Sequence, residues 1–71
     1  MLGILLTEKE QHEIEYLIRR ELDELLFDFQ DDRLEGIVKS AMEEKYRCLY
    51  RLFMKVSSPE MCLKYMRVRK F

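Results

Sequence analysis

Asp31-Asp32-Arg33-Leu34-Glu35 is the stretch that decides the fold of this 71-residue chain. It separates two long segments in which apolar residues recur every three or four positions, the spacing of amphipathic helices. Asp32 can act as an N-cap, and Glu35, three positions later, can close a capping box. Only two or three residues then remain outside the helices, so the pattern predicts a tight turn and an antiparallel helical hairpin.

The segment before this turn predicts a first helix over residues 8–29. Thr7 and Glu10 form a capping-box pattern at its start, and Glu8 complements the positive end of the helix dipole. Seven apolar residues follow at helical spacing: Ile14, Leu17, Ile18, Leu22, Leu25, Leu26 and Phe29. They form one broad face, which predicts packing along the whole length of the helix.

The segment after the turn predicts a second helix over residues 33–56, with an apolar stripe covering about half its circumference. A stripe this wide should contact more than one neighbour. Its members are Leu34, Ile37, Val38, Ala41, Met42, Leu49, Leu52, Phe53 and Val56, widened by Tyr46 and Cys48. Ser58 before Pro59 predicts the cap of a short third helix over residues 59–69. A helix this short must pack on the others to be stable.

Length and composition indicate a single all-α domain over residues 1–71 with a thin hydrophobic core. Such small domains commonly gain stability from disulfides, metals or self-association. Two cysteines, Cys48 and Cys62, do not make a disulfide framework, and we expect both to be small buried residues with reduced thiols. The wide stripe and the thin core therefore favour a homodimer, which could form a four-helix arrangement of two hairpins.

The charges divide the chain into two halves of opposite sign. Residues 7–32 contain ten acids against three bases, a net charge of −7, and residues 33–71 contain ten bases against four acids, a net charge of +6. Attraction between these oppositely charged halves, either within one chain or between two copies, affects how they are oriented more than which fold they adopt. Glu21 and Lys45 project into the apolar stripes at nearly the same distance from the turn. We expect them to form an ion pair that fixes the register of the hairpin.

Two groups of residues are candidates for partner contacts. Tyr16 and Phe27 lie on the nominally exposed side of the first helix, with Asp23 between them, and exposed aromatic clusters often mark interfaces. On the second helix, Arg47, Arg51 and Lys55 step by four residues and form a basic ridge beside Tyr50 and Met54. Such a ridge could contact the phosphates of nucleic acid, although the first helix could instead neutralise it.

No pattern of residues indicates an enzyme or a cofactor. Adjacent carboxylates such as Glu43-Glu44 point roughly 100° apart on a helix and do not share a site. Two cysteines and one histidine are too few for a structural zinc site within one chain. The apolar start, residues 1–6, is too short to span a membrane and lacks the basic leader of a secretory signal. These features favour a cytoplasmic protein without a membrane span.

Several short runs together resemble small uncharacterised helical proteins of Bacillus-type bacteria. They are Glu21-Leu22-Asp23-Glu24-Leu25-Leu26, Asp31-Asp32-Arg33, Gly36-Ile37-Val38, Ala41-Met42-Glu43-Glu44-Lys45-Tyr46 and Ser58-Pro59-Glu60. The resemblance covers most of the chain and implies a bacterial, cytoplasmic setting, but it brings no known site.

The sequence thus predicts a non-enzymatic protein–protein interaction module, a small regulator or adaptor. It would act by helix docking, with itself and with an unidentified protein as partners. The alternative is a nucleic-acid-binding accessory protein that uses the basic residues of the second and third helices.

Overall fold

The structure, a computed structural model, describes residues 1–66 and contains three helices in this part of the chain: α1 (Glu8–Asp28), α2 (Gly36–Val56) and α3 (Pro59–Tyr65). The two long helices pack against each other as an antiparallel hairpin, and α3 folds back onto it. These residues contain no strand. The predicted all-α hairpin with a short third helix is therefore confirmed.

Helix α1 begins where the capping pattern predicts. Thr7 Oγ1 accepts a hydrogen bond from Glu10 N at 3.1 Å, and Glu10 Oε1 accepts one from Thr7 N at 3.0 Å. The hydrogen bond from the backbone of Thr7 lowers the pKa of Glu10 and keeps its carboxylate ionised for this role. The box satisfies two backbone donors that the helix itself leaves free. The helix ends at Asp28, one residue earlier than predicted.

The connection between α1 and α2 is longer than the predicted turn, and Asp31 organises it. The Asp31 carboxylate accepts hydrogen bonds from the backbone N–H of Arg33 at 2.9 Å and from Arg33 Nε at 3.1 Å. This side-chain turn competes with helix formation, so α2 starts three residues later than predicted. The capping box predicted for Asp32 and Glu35 is wrong: Glu35 is the N-cap of α2, and its side chain makes no capping hydrogen bond.

Helix α3 begins as predicted and ends early. Ser58 Oγ accepts a hydrogen bond from Met61 N at 3.3 Å, and Pro59 is the first helical residue. The helix ends at Tyr65, and Met66 has an extended backbone. The prediction that the helix continues through Met66 is therefore wrong. The remaining predicted helical positions, 67–69, lie outside the described residues.

The core is small and lies where the three helices meet. Leu22 and Phe53 are completely buried, one from each long helix. Around them lie Ile18, Leu25, Tyr46 and Val56, with Ile14, Leu26, Phe29, Met42, Leu49, Tyr50, Met61, Cys62 and Tyr65 packed against them and partly buried. Full burial of a large apolar side chain stabilises the folded state by about 1.5–3 kcal/mol. Few side chains in the described part of the chain reach this limit.

A large part of the predicted apolar stripes remains in contact with solvent. Leu17 of α1 and Ile37, Val38 and Leu52 of α2 are exposed, and Ile37 retains 83% of its accessible surface. Cys48 is exposed as well, so the expectation that both cysteines are buried is wrong for this one, while Cys62 is half-buried. The second helix therefore carries apolar surface for which α1 and α3 provide no cover.

We expect Phe53→Ala to destabilise the protein by about 3–5 kcal/mol, because it deletes a completely buried ring and leaves a cavity between the helices. Urea unfolding followed by circular dichroism measures this loss. Leu63→Ala is the matched control, since Leu63 is 68% exposed and its truncation should change the unfolding free energy by less than about 0.5 kcal/mol. Equal losses for the two variants would contradict this description of the core.

Candidate functional site

Helix α3 is held on one side of the hairpin by two tyrosines of α2. The Tyr46 hydroxyl donates to the backbone carbonyl of Tyr65 at 2.7 Å, and the Tyr50 hydroxyl donates to that of Cys62 at 2.8 Å. The rings of Phe53 and Tyr65 also meet edge to face, with centroids 5.4 Å apart. Because the last carbonyls of a helix have no partner within it, these two hydroxyls satisfy groups that α3 leaves free.

The same helix reaches α1 through Tyr65. Burial raises the pKa of the Tyr65 hydroxyl, and the Asp23 carboxylate raises it further as a hydrogen-bond partner, while the Arg19 guanidinium acts in the opposite direction. Burial likewise raises the pKa of Tyr50, with a smaller contribution from the Cys62 thiol. The edge of α1 that carries Arg19 and Asp23 therefore lies on the α3 side of the hairpin.

The opposite side of the hairpin carries no helix within the described part of the chain. At roughly 100° per residue, Glu21 and Asp23 stand on opposite sides of the buried Leu22, and Lys45 and Tyr50 stand on opposite sides of the buried Phe53. Since Asp23 and Tyr50 face α3, Glu21 and Lys45 face away from it. We call this side the open face; its exposed members are Leu17 and Glu21 of α1, with Glu10 and Asp28 towards its two ends, and Ile37, Val38, Ala41, Lys45, Cys48 and Leu52 of α2.

An ion pair crosses the middle of the open face. Lys45 Nζ lies 3.8 Å from Glu21 Oε2, at the level of the hairpin where the sequence places both residues. Their side chains keep 59% and 49% of their accessible surface, so solvent screens the attraction. Exposed pairs of this kind contribute about 0.2–1 kcal/mol. The pair is therefore too weak to hold the hairpin together, and its effect on register stays a prediction.

The basic ridge of α2 borders a cleft of about 200 Å³ beside α3. Four of the candidate partner-binding residues meet there: Arg47, Tyr50, Arg51 and Met54. Glu43, Tyr46 and Met66 complete the lining. Lys55, the last member of the predicted ridge, is exposed but does not line the cleft.

Arg47, Arg51 and Lys55 form no ion pair with any residue of the described range. Within the described residues, α1 therefore does not neutralise the ridge, as the sequence had suggested it could. Among the described ion pairs, the cation of α2 that pairs with α1 is Lys45. The cleft has two guanidinium groups, one carboxylate at Glu43 and otherwise largely apolar walls, so its excess of positive charge suits an anionic group attached to an apolar or aromatic body.

The aromatic residues of α1 lie apart from each other and from this cleft. Phe27 is 74% exposed and lines a shallow cavity of about 330 Å³ with Asp23, Glu24 and Asp28. Tyr16 lies elsewhere on the helix, where the guanidinium of Arg19 sits 5.9 Å from the centre of its ring. The structure therefore does not bring Tyr16 and Phe27 together into one site.

Residues 1–66 contain no group of three or more histidine, cysteine, aspartate or glutamate side chains that could hold a metal ion. Over the same residues, no helix combines the length and the apolar character that crossing a bilayer requires.

Sequence reasoning missed the contacts that close the fold. Gln11 Nε2 donates to the carbonyl of Val56 at 3.0 Å and joins the start of α1 to the end of α2. The roles of Tyr46 and Tyr50 as anchors of α3 were missed as well. Their spacing of four residues on one helix face was the available signal, because two hydroxyls at that spacing can reach successive turns of a neighbouring helix.

Comparison with known proteins gave no match to a family model, to a curated protein or to a solved structure, so function is argued from the geometry of this chain.

We expect the docking of α3 to weaken above about pH 10. Tyr50 and Tyr65 have pKa values raised above the ordinary 10.0, so the folded state retains their protons where the unfolded state loses them. The stability that they contribute is complete below pH 10 and is lost as the pH rises through the raised values.

Urea unfolding at neutral and alkaline pH, with tyrosinate absorbance as a second readout, measures this effect. Tyr50→Phe removes one titrating hydroxyl and should reduce the alkaline loss of stability. Tyr16→Phe is the matched control, because Tyr16 is half-exposed and lies outside the hydrophobic core. An alkaline loss unchanged by Tyr50→Phe would contradict the role given to Tyr50.

Proposed function

We propose that this protein is a non-enzymatic protein–protein interaction module, a small regulator or adaptor that acts by docking helices. The observation that carries the proposal is the open face, where Leu17, Ile37 and Leu52 are exposed on one side of the hairpin. Exposed apolar side chains on one face of a small protein commonly mark an interface. A flat face made of two parallel ridges is complementary to other helices, since helix surfaces interlock ridge into groove.

Self-association is the first use that we propose for this face, and the protein would then be a homodimer. The monomer has a small core, and covering the open face would remove further apolar surface from water at about 25 cal/mol per Å². The clefts around Phe27 and around Arg47 remain free in such a dimer and can serve an additional protein partner. A bacterial cytoplasmic setting, implied by the resemblance above, is part of the same proposal.

Nucleic-acid binding is the second candidate, and the ridge of Arg47, Arg51 and Lys55, which forms no ion pair with the described residues, favours it. Three cations on one helix can neutralise about three phosphates, and Tyr50 beside them offers a ring for stacking. Against this candidate, α1 carries a net charge of −5 on the same small domain and repels a polyanion.

We expect light scattering across a dilution series to give twice the 8.8 kDa chain mass at high concentration. Leu52→Glu should raise the dissociation constant at least tenfold, because it places a charge in the apolar part of the interface. Leu63→Glu is the matched control, with the same change at an exposed position of α3. A wild-type monomer at every concentration would contradict self-association and leave the open face to a helix of another protein.

For the nucleic-acid alternative, we expect any binding of a fluorescent single-stranded oligonucleotide to weaken steeply with salt. The slope of log affinity against log salt should be about −2, from roughly 0.7 per neutralised phosphate. Arg47→Gln combined with Arg51→Gln should flatten this slope, whereas Arg33→Gln, near the turn, should leave it unchanged. Absence of binding at low salt would remove this alternative.

A further inference from the structure

The open face has two charged residues at its centre, and their arrangement restricts how a second copy can cover it. Glu21 belongs to α1 and Lys45 to α2, and both project from the same level of the hairpin. When two hairpins meet through their open faces, four charges therefore come together at one level of a four-helix arrangement. Their order around that arrangement depends on the direction of the two-fold axis.

Two flat hairpins that meet face to face can be related by a two-fold axis in either of two directions. An axis across the helices places α1 on α1 and α2 on α2. Glu21 of one copy then approaches Glu21 of the other, and the two Lys45 side chains also approach each other. An axis along the helices places α1 of each copy on α2 of the other. The four charges then alternate in sign around the bundle, and each has two neighbours of opposite charge.

The net charges of the helices favour the same choice. α1 carries eight acids against three bases, a net charge of −5, and α2 carries five bases against two acids, a net charge of +3. Stacking α1 on α1 opposes two strongly acidic helices, whereas stacking α1 on α2 opposes helices of opposite sign. Like charges brought together at an interface are unfavourable, so this difference selects between the arrangements.

Charges at the flank of the contact agree as well. Glu21 lies level with Lys45, and Gln11 lies level with Val56. The numbers of an α1 residue and an α2 residue at the same level of the hairpin therefore sum to about 66. With the axis along the helices, Glu13 of one copy lies near the level of Lys55 of the other. Arg20 likewise lies near the level of Glu44 of the other copy. Both flanking contacts join opposite signs, and Lys55 forms no ion pair with any described residue of its own chain.

We infer that the occupant of the open face is a second copy of this chain, related by a two-fold axis parallel to the helices, so that α1 of each copy packs on α2 of the other. This inference rests on the proposed self-association and adds its geometry. In this arrangement Leu17 of one copy covers Cys48 and Leu52 of the other. The Glu21–Lys45 pair becomes part of a ring of four alternating charges, which specifies orientation more than affinity.

Disulfide trapping separates the two axis directions. All variants carry Cys62→Ala, so that Cys48 is the remaining native thiol, and oxidised glutathione is the oxidant that accepts the two electrons of each disulfide formed. Leu17→Cys lies level with Cys48 of the second copy and should give a covalent dimer of twice the chain mass on a non-reducing gel. Within one chain, Leu17 and Cys48 both project outward from axes about 8–10 Å apart, which is unfavourable for a disulfide.

Ala41→Cys is the matched control. Residues 41 and 48 lie four and three positions on either side of Lys45 along α2, so this variant can cross-link to Cys48 of a second copy when α2 lies antiparallel on α2 with the two Lys45 residues level. We expect no covalent dimer from Ala41→Cys, and none from Leu17→Cys once Cys48→Ala is added. Cross-linking of Ala41→Cys instead of Leu17→Cys would overturn the inferred geometry.

Two further outcomes separate this inference from the proposed function. If the uncross-linked protein is a dimer by light scattering but neither variant is trapped, self-association stands and the open face is not its interface. If the protein is a monomer throughout, self-association itself fails. A charge exchange gives an independent readout: Glu21→Lys and Lys45→Glu should each raise the dissociation constant at least tenfold, and the double variant Glu21→Lys/Lys45→Glu should restore dimerisation, because the four signs alternate again. No recovery in the double variant would contradict the ring of alternating charges.

Discussion

The position of α3 is the constraint on which the rest of this structure depends. A helix of seven residues is unstable alone, since it has too few hydrogen bonds to offset the entropy of nucleation. Here the hydroxyls of Tyr46 and Tyr50 satisfy its last carbonyls, and the ring of Tyr65 packs against Phe53. These contacts commit α3 to one side of the hairpin, and the apolar surface on the other side consequently stays exposed.

The exposed surface follows from the size of the chain as much as from its pattern. Two helices of 21 residues present more apolar surface than one seven-residue helix can cover. A narrower stripe on α2 would have closed the monomer, yet Ile37, Ala41, Cys48 and Leu52 widen it beyond the reach of α1 and α3. Small domains rarely retain such a surface without a use, because it lowers solubility and adds nothing to the stability of the monomer.

Local capping chemistry and periodicity were sufficient to predict the three helices, the hairpin and the neighbouring positions of Glu21 and Lys45. They failed where two local solutions compete. Asp32 is a good cap residue, but Arg33 instead binds the carboxylate of Asp31 in a local turn, and α2 begins after Glu35. Arg33 also keeps the pKa of Asp31 below its ordinary value. The side on which α3 packs determines which apolar residues of the stripes stay exposed. That packing is a tertiary contact, and the spacing of apolar residues in the sequence does not predict it.

Charge and apolar surface have different roles in the proposed assembly, and their magnitudes show which one dominates. Burial of exposed leucine and isoleucine side chains is worth about 1.5–3 kcal/mol each, whereas an ion pair that stays partly solvated is worth less than about 1 kcal/mol. Affinity would therefore come from the apolar residues and would survive added salt. The charges change the free-energy difference between arrangements of the two copies that bury the same apolar surface. For that purpose a small term suffices, because 1.4 kcal/mol already changes a population ratio tenfold.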